Sequence, residues 1–173
     1  LLCFLKPILS CFKVPNLIFF DAVLLRSGQL SPCEKIRDVF NGKKVAIRSS
    51  AADEDGSTNS FAGEYASILN IPSDNSKRIE KAINTVIESY EKKRKLLPND
   101  EVIAQDMVQN TTMSGVIFTH DLNTGAPYYV INYDDQSGLT DTVTSGGGEY
   151  SNRTLYIHRN SIDKLRSERF IKL

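Results

Sequence analysis

The sequence predicts a mixed α+β fold, and three features of its patterning predict it. Short apolar runs rich in β-branched residues, bounded by turn residues, recur at 45–50, 101–108, 114–119, 128–133 and 154–159. One long segment from residue 76 switches to a helical period. The strand-like runs gather in the second half, and 173 residues suffice for one domain or two small lobes.

The opening LLCFLKPILSCF is apolar but short and carries Lys6 and Pro7, so it reads as a core element rather than a signal peptide or membrane span. PNLIFFDAVLL at 15–25 is a candidate buried strand. In SPCEKIRDVFNG, Ser31 is placed to cap a helix, Pro32 to take its first position and Glu34 to close a capping box. Ile36, Val39 and Phe40 supply its apolar face, and Gly42 its stop. KVAIRSS is a second short strand with Arg48 near its carboxyl end; a polar stretch follows, and apolar alternation returns by Leu69.

From residue 76, Ile79, Ala82, Ile83, Val86, Ile87 and Tyr90 recur at spacings of three and four with charged residues opposite, the signature of an amphipathic helix. The run EKKRK at 91–95 reads as its solvated last turn, with cations near the negative helix end, and Pro98 and Asn99 end it. EVIAQDMV, SGVIFT, YYVINY and TLYIHR are the later strands, HDLNTGAP is a turn-rich connection, SGGGEY at 145–150 a glycine-rich hairpin end, and the charged tail from Ser161 a helix.

Composition narrows the function classes. Twenty-one basic residues balance 21 acidic ones, so the chain has no overall electrostatic footprint for nucleic acid or an anionic membrane, and any anion must be held locally. Cys3, Cys11 and Cys33 show no paired C-x-x-C spacing, which fits buried, inert thiols in a reducing compartment. Neither G-x-x-x-x-G-K-[ST] nor G-x-G-x-x-G occurs, and His120 and His158 lack metal-ligand or nucleophile-activating spacing. The chain does not begin with methionine, which suggests a piece of a longer protein.

VAIRSSAADEDGSTNSFAGEYASIL at 45–69 is the most informative stretch. A guanidinium at a strand end, followed by hydroxyls and small residues whose amides approach an oxyanion closely, suits an anion site, with Ser49, Ser50, Ser57, Ser60 and Gly63 as further members. The same pattern also suits a surface loop in which Arg48 pairs with Asp53, Glu54 or Asp55, and pattern alone does not separate the two. In GLTDTVTSG, Asp141 lies among hydroxyls, facing a metal or ribose in one reading and closing a turn in the other.

Four motifs in order carry a family resemblance: VAIRSSAADEDGSTNSFAGEYASILNI, VIAQDMV, SGVIFTHDLNTG and SGLTDTVTSG. Together they resemble the amino-terminal nucleotide-binding domain shared by phosphoenolpyruvate synthase and pyruvate phosphate dikinase, the PEP/pyruvate-binding domain. The resemblance implies an ATP-grasp-like, two-lobed fold, incomplete at its C-terminal side, with a first lobe at 1–72 that carries the phosphate site and a second at 73–173 that carries the adenine-cleft strands. It implies that Arg48 meets the nucleotide phosphates beside Ser49 and Ser50, that Ser60, Phe61, Ala62 and Gly63 cover them, and that Gln105, Met107 and Val108 line the adenine cleft. Met107 and Val108 suit an ordinary core strand equally well. By the same resemblance Asp141 would fall near the ribose or an inter-lobe contact, whereas Asp121, Asn123, Thr124 and Gly125 match a hairpin motif of mainly structural role.

The chain departs from the family pattern at Glu64, Leu122, Thr140 and Asp141, where glutamine, proline, glycine and glutamate are usual. No glycine-rich opening with a phosphate-binding lysine is visible, leaving Lys6, Lys13, Lys43 and Lys44 unranked. The resemblance further implies a cytoplasmic phosphotransferase that passes a phosphoryl group from ATP to a carrier histidine and on to pyruvate. Related ATP domains serve glucan or antibiotic acceptors. Its partners would be ATP, a phosphohistidine domain and an acceptor-binding domain, with the main magnesium ligands beyond residue 173; this chain alone would not complete catalysis. The alternative is a non-catalytic nucleotide-binding or regulatory module of the same fold, and a third reading is a protein-interaction domain in which Arg48 makes only a surface ion pair.

Overall fold

A computed structural model of the chain describes residues 13–52, 65–139, 143 and 153–164. The chain forms two compact units, Leu1–Met107 and Val108–Leu173. This division falls later than residue 72 because the long helix and the strand after it belong structurally with the earlier strands. Among the described residues, no helix is long and apolar enough to cross a membrane.

In the first unit the order is β1 (Leu17–Asp21), α1 (Ala22–Arg26), α2 (Cys33–Phe40), β2 (Lys44–Ser50), β3 (Ser67–Pro72), α3 (Ser76–Glu91) and β4 (Glu101–Asp106). The strands form one antiparallel sheet in the order β1-β4-β2-β3. One face is helix-covered: Phe20, Val45, Ile47, Ile71, Val102 and Ala104 share a core with Ile36 and Phe40 of α2 and Ile79, Ile83, Val86 and Ile87 of α3. All six periodic positions of the long helix, Ile79 to Tyr90, are buried as their spacing predicts.

Local chemistry corrects several boundaries. The stretch 15–25 is not one strand, because Asp21 accepts a hydrogen bond from the Leu24 amide at 2.9 Å and caps α1. Ser31 does not cap α2; Pro32 holds the N-cap position without a side-chain bond, and the stop is Asn41, left-handed at φ 45°, ahead of Gly42. The buried face of α2 is Cys33, Ile36 and Phe40, which leaves Val39 43% exposed. Between Val45 and Ile47 the β2–β3 register shifts by one residue, and Asn70 in the opposing segment takes a left-handed φ of 59°.

The second unit holds β5 (Ser114–Phe118), β6 (Tyr128–Asp134) and β7 (Arg153–His158), an antiparallel sheet in that order, followed by a 3-10 turn at Arg159–Lys164. Asp121 organises the β5–β6 connection: its carboxylate accepts from the amides of Asn123 and Thr124, both at 2.9 Å, and its carbonyl accepts from Gly125, φ 70°. Those bonds, Thr124 first, hold its carboxyl below the usual range. Asp134, fully buried at the end of β6, likewise accepts from the amides of Gln136 and Ser137.

Candidate functional site

Strand alternation decides which side chains of the first unit meet. Arg48 stands opposite Ile103, Ala46 opposite Gln105, and Leu17 and Phe19 of β1 flank Gln105 and Ile103 on the other side. The Met107 amide donates to the Lys44 carbonyl at 3.0 Å, which continues the ladder by one step and brings Met107 to the same face. The second face of the sheet therefore carries Arg48 and Gln105 among Leu17, Phe19, Ala46, Ile103 and Met107. Most of these are half-buried; Phe19 is exposed and Ala46 is buried.

Within that surface the Arg48 Nε is buried and has no hydrogen-bond partner among the described residues. A buried donor left without an acceptor costs about 1–3 kcal/mol, which an anionic ligand would relieve with a charge-assisted bond. A guanidinium and a carboxamide set among apolar side chains match a ligand that is flat and apolar at one end and anionic at the other.

The other sequence-derived candidates divide. Ser49 stands opposite Val102, on the helix-covered face and away from Arg48. Ser50 returns to the second face opposite Glu101, and its amide donates to the Tyr90 hydroxyl at 2.8 Å. Val108 lies in the second unit and is exposed. Ser57, Ser60, Phe61, Ala62, Gly63 and Asp141 lie outside the described residues, as do the acidic partners considered for Arg48 and the glycine-rich stretch at 145–150.

Sequence reasoning missed the group that fixes the end of β2. Asp100, fully buried just before β4, accepts from Arg94 Nη1 at 2.7 Å and Nη2 at 2.8 Å, from the Leu97 amide at 2.7 Å and from the Ala52 amide at 3.0 Å. Burial alone would push its carboxyl up, but the Arg94 pairing and the two amides outweigh it, and the net direction is down. EKKRK is thus not merely a solvated last turn: α3 ends at Glu91, Arg94 is largely buried, and Lys93 lies 5.1 Å over the Tyr65 ring. The available signal was an acidic residue immediately before a strand, within reach of a post-helical arginine.

Remaining titratable groups suit structural roles. Burial first, then the Glu80 carboxylate, pushes the Cys33 thiol up, in keeping with an inert cysteine. His120 contacts Thr119 and Arg159 at the surface, and His158 packs edge-on against Tyr128 at 5.1 Å. Among the described residues, no group of three or more His, Cys, Asp or Glu is placed to hold a metal ion.

Comparison with known proteins bears on the anion-ready face. Residues 30–168 match the family model described as pyruvate phosphate dikinase, AMP/ATP-binding domain. Over 120 residues the chain is 31% identical to the prodigiosin synthesizing transferase PigC of Serratia marcescens. That alignment covers 66% of this chain and 13% of the relative's length.

Proposed function

Because the chain belongs to the pyruvate phosphate dikinase AMP/ATP-binding domain family, we propose that it holds the phosphoryl donor ATP on the second face of its first-unit sheet. The observation that carries this reading is the buried Arg48 Nε without a partner among the described residues, on the same face as Gln105 and Met107. Arg48 neutralises phosphate charge through fork-shaped hydrogen bonds, a role in which lysine would be a poorer substitute. Met107 and its apolar neighbours pack against the adenine ring, and Gln105 offers a donor and an acceptor to its edge. Ser50 adjoins the phosphates, while Ser49, its side chain on the opposite face, contributes through its backbone.

The reading extends beyond the described residues. Ser60, Phe61, Ala62 and Gly63 supply amides over the phosphates and Asp141 meets the ribose, within an ATP-grasp-like two-lobed architecture. Magnesium, when bound, would offset phosphate charge; its ligands are assigned to no described residue. The full protein passes the phosphoryl group to a carrier histidine in another domain and then to an acceptor such as pyruvate. In a family of this kind the donor site is the shared part, and the acceptor is set elsewhere.

Equilibrium titration of the chain with ATP, AMP and adenosine tests the reading. The expected result is saturable binding that strengthens from adenosine to ATP, because phosphate contacts add to adenine contacts. A folded chain that binds none of the three, or binds all equally, contradicts it.

A further inference from the structure

The strand that carries Arg48 is held by an unusual amount of buried polar bonding immediately beyond it. At the Ser50–Glu101 pair, the Tyr90 hydroxyl of α3 accepts from the Ser50 amide at 2.8 Å and donates to the Glu101 carbonyl at 2.7 Å. Two residues on, the Ala52 amide donates to Asp100, whose carboxylate also holds Arg94 in a two-pronged pair. The strand that returns is fixed from the same helix end. The Ala66 amide donates to Ser89 Oγ at 3.1 Å, and the Tyr65 ring packs edge-on against Tyr90 at 4.9 Å. The Arg94 guanidinium lies 5.8 Å from both of those rings, so one side chain joins the anchor of Ala52 to the anchor of Tyr65.

Apolar packing would have held these segments at lower cost, since taking a carboxylate and a guanidinium out of water is expensive even when they pair. What the polar arrangement adds is direction. Each hydrogen bond fixes the angle as well as the distance of the group it holds, and those at Ser50 and Ala52 act two and four residues beyond Arg48 in sequence.

We infer that Tyr90, Arg94 and Asp100 are positioning residues for the nucleotide site: by fixing Ser50 and Ala52 just beyond Arg48, they set the direction in which its guanidinium is presented to phosphate. This inference rests on the reading of the second face as the nucleotide site. None of the three touches the nucleotide; they act through Arg48.

The test uses the 173-residue chain and three single variants: Tyr90→Phe, which keeps the ring but removes the bridging hydroxyl, Asp100→Asn, and Arg48→Ala. Calorimetric titration with Mg-ATP and with adenosine is run at a temperature where circular dichroism shows each variant folded. The expected result is that Tyr90→Phe and Asp100→Asn each weaken Mg-ATP binding roughly tenfold, as slight misplacement of a charged contact does, and leave adenosine binding unchanged. In the Arg48→Ala background the same changes should cost nothing further, because residues acting through one group are not additive.

Folded variants with undiminished Mg-ATP affinity, or losses that add fully to that of Arg48→Ala, would overturn the inference while leaving the nucleotide site standing. Failure of the unaltered chain to bind Mg-ATP would overturn both. Should Asp100→Asn not fold, Tyr90→Phe decides, with Ser89→Ala as a control that removes the Ala66 anchor and a local bond to the Val86 carbonyl of α3, and is expected to have the smaller effect.

Discussion

Replacing Asp100 by asparagine tests the energetics of the first unit most sharply. The carboxylate is fully buried and accepts four hydrogen bonds, two of them from Arg94. Removing one partner of a buried ion pair costs about 3–5 kcal/mol, because the other charge is left behind. Asparagine keeps one acceptor oxygen, and Arg94 retains some solvent contact, so the lower end, about 3 kcal/mol, is expected at neutral pH. Against a total stability of about 5–15 kcal/mol that is a large fraction.

The effect should depend on pH in one direction. The folded-state carboxyl lies below its ordinary value of 3.8, so stability from its ionisation is fully present above that value. It is lost as pH falls through the folded value. The gap between the original chain and Asp100→Asn should be constant near neutrality and narrow in acid, where the protonated carboxyl resembles the amide. Urea denaturation followed by circular dichroism across pH 3 to 7, each curve fitted with its own slope, measures this. A gap under about 1 kcal/mol at neutral pH, or one that does not shrink in acid, would refute the reasoning.

Two further substitutions separate packing from binding. A Cβ on Gly115 would collide with the Asn132 carbonyl oxygen and come within 3.2 Å of the Tyr133 Cα. Gly115→Ala should therefore destabilise the β5–β6 pair by about 1–3 kcal/mol, visible as a lowered urea midpoint, and an unchanged midpoint would contradict it. Met107→Ala should weaken binding of ATP and adenosine but spare that of inorganic pyrophosphate; equal loss of all three in titration would point to a damaged fold instead.

Much of the fold was legible because burial imposes a period. The helix at 76–91 follows from six apolar positions on one face, and β2, β4, β5, β6 and β7 from short runs bounded by turn residues. The Asp121 turn was readable because an aspartate two residues before Asn-Thr-Gly has its bonding partners within four residues. Less was legible where a local signal competed with an apolar run, as at Asp21, whose capping bond ends a strand that hydrophobicity alone would prolong.

At the site, residue type pointed to Arg48, but its face depends on strand pairing. The same pairing separates Ser49 from it and brings Gln105 near. The Tyr90–Arg94–Asp100 arrangement was not legible. Tyr90 had already been explained as a core residue, and Arg94 sits in a run of cations that looks solvated. The bonds that unite them with Ser50 and Ala52 span 40 and 48 residues of sequence.

The most direct test of the nucleotide site is calorimetric titration of the chain with Mg-ATP beside Arg48→Ala. Loss of charge-assisted hydrogen bonds to phosphate should weaken binding by about 1.5–3 kcal/mol, with the variant's fold and its adenosine affinity preserved. Equal Mg-ATP affinity in the folded variant would contradict the account and remove Arg48 from the site.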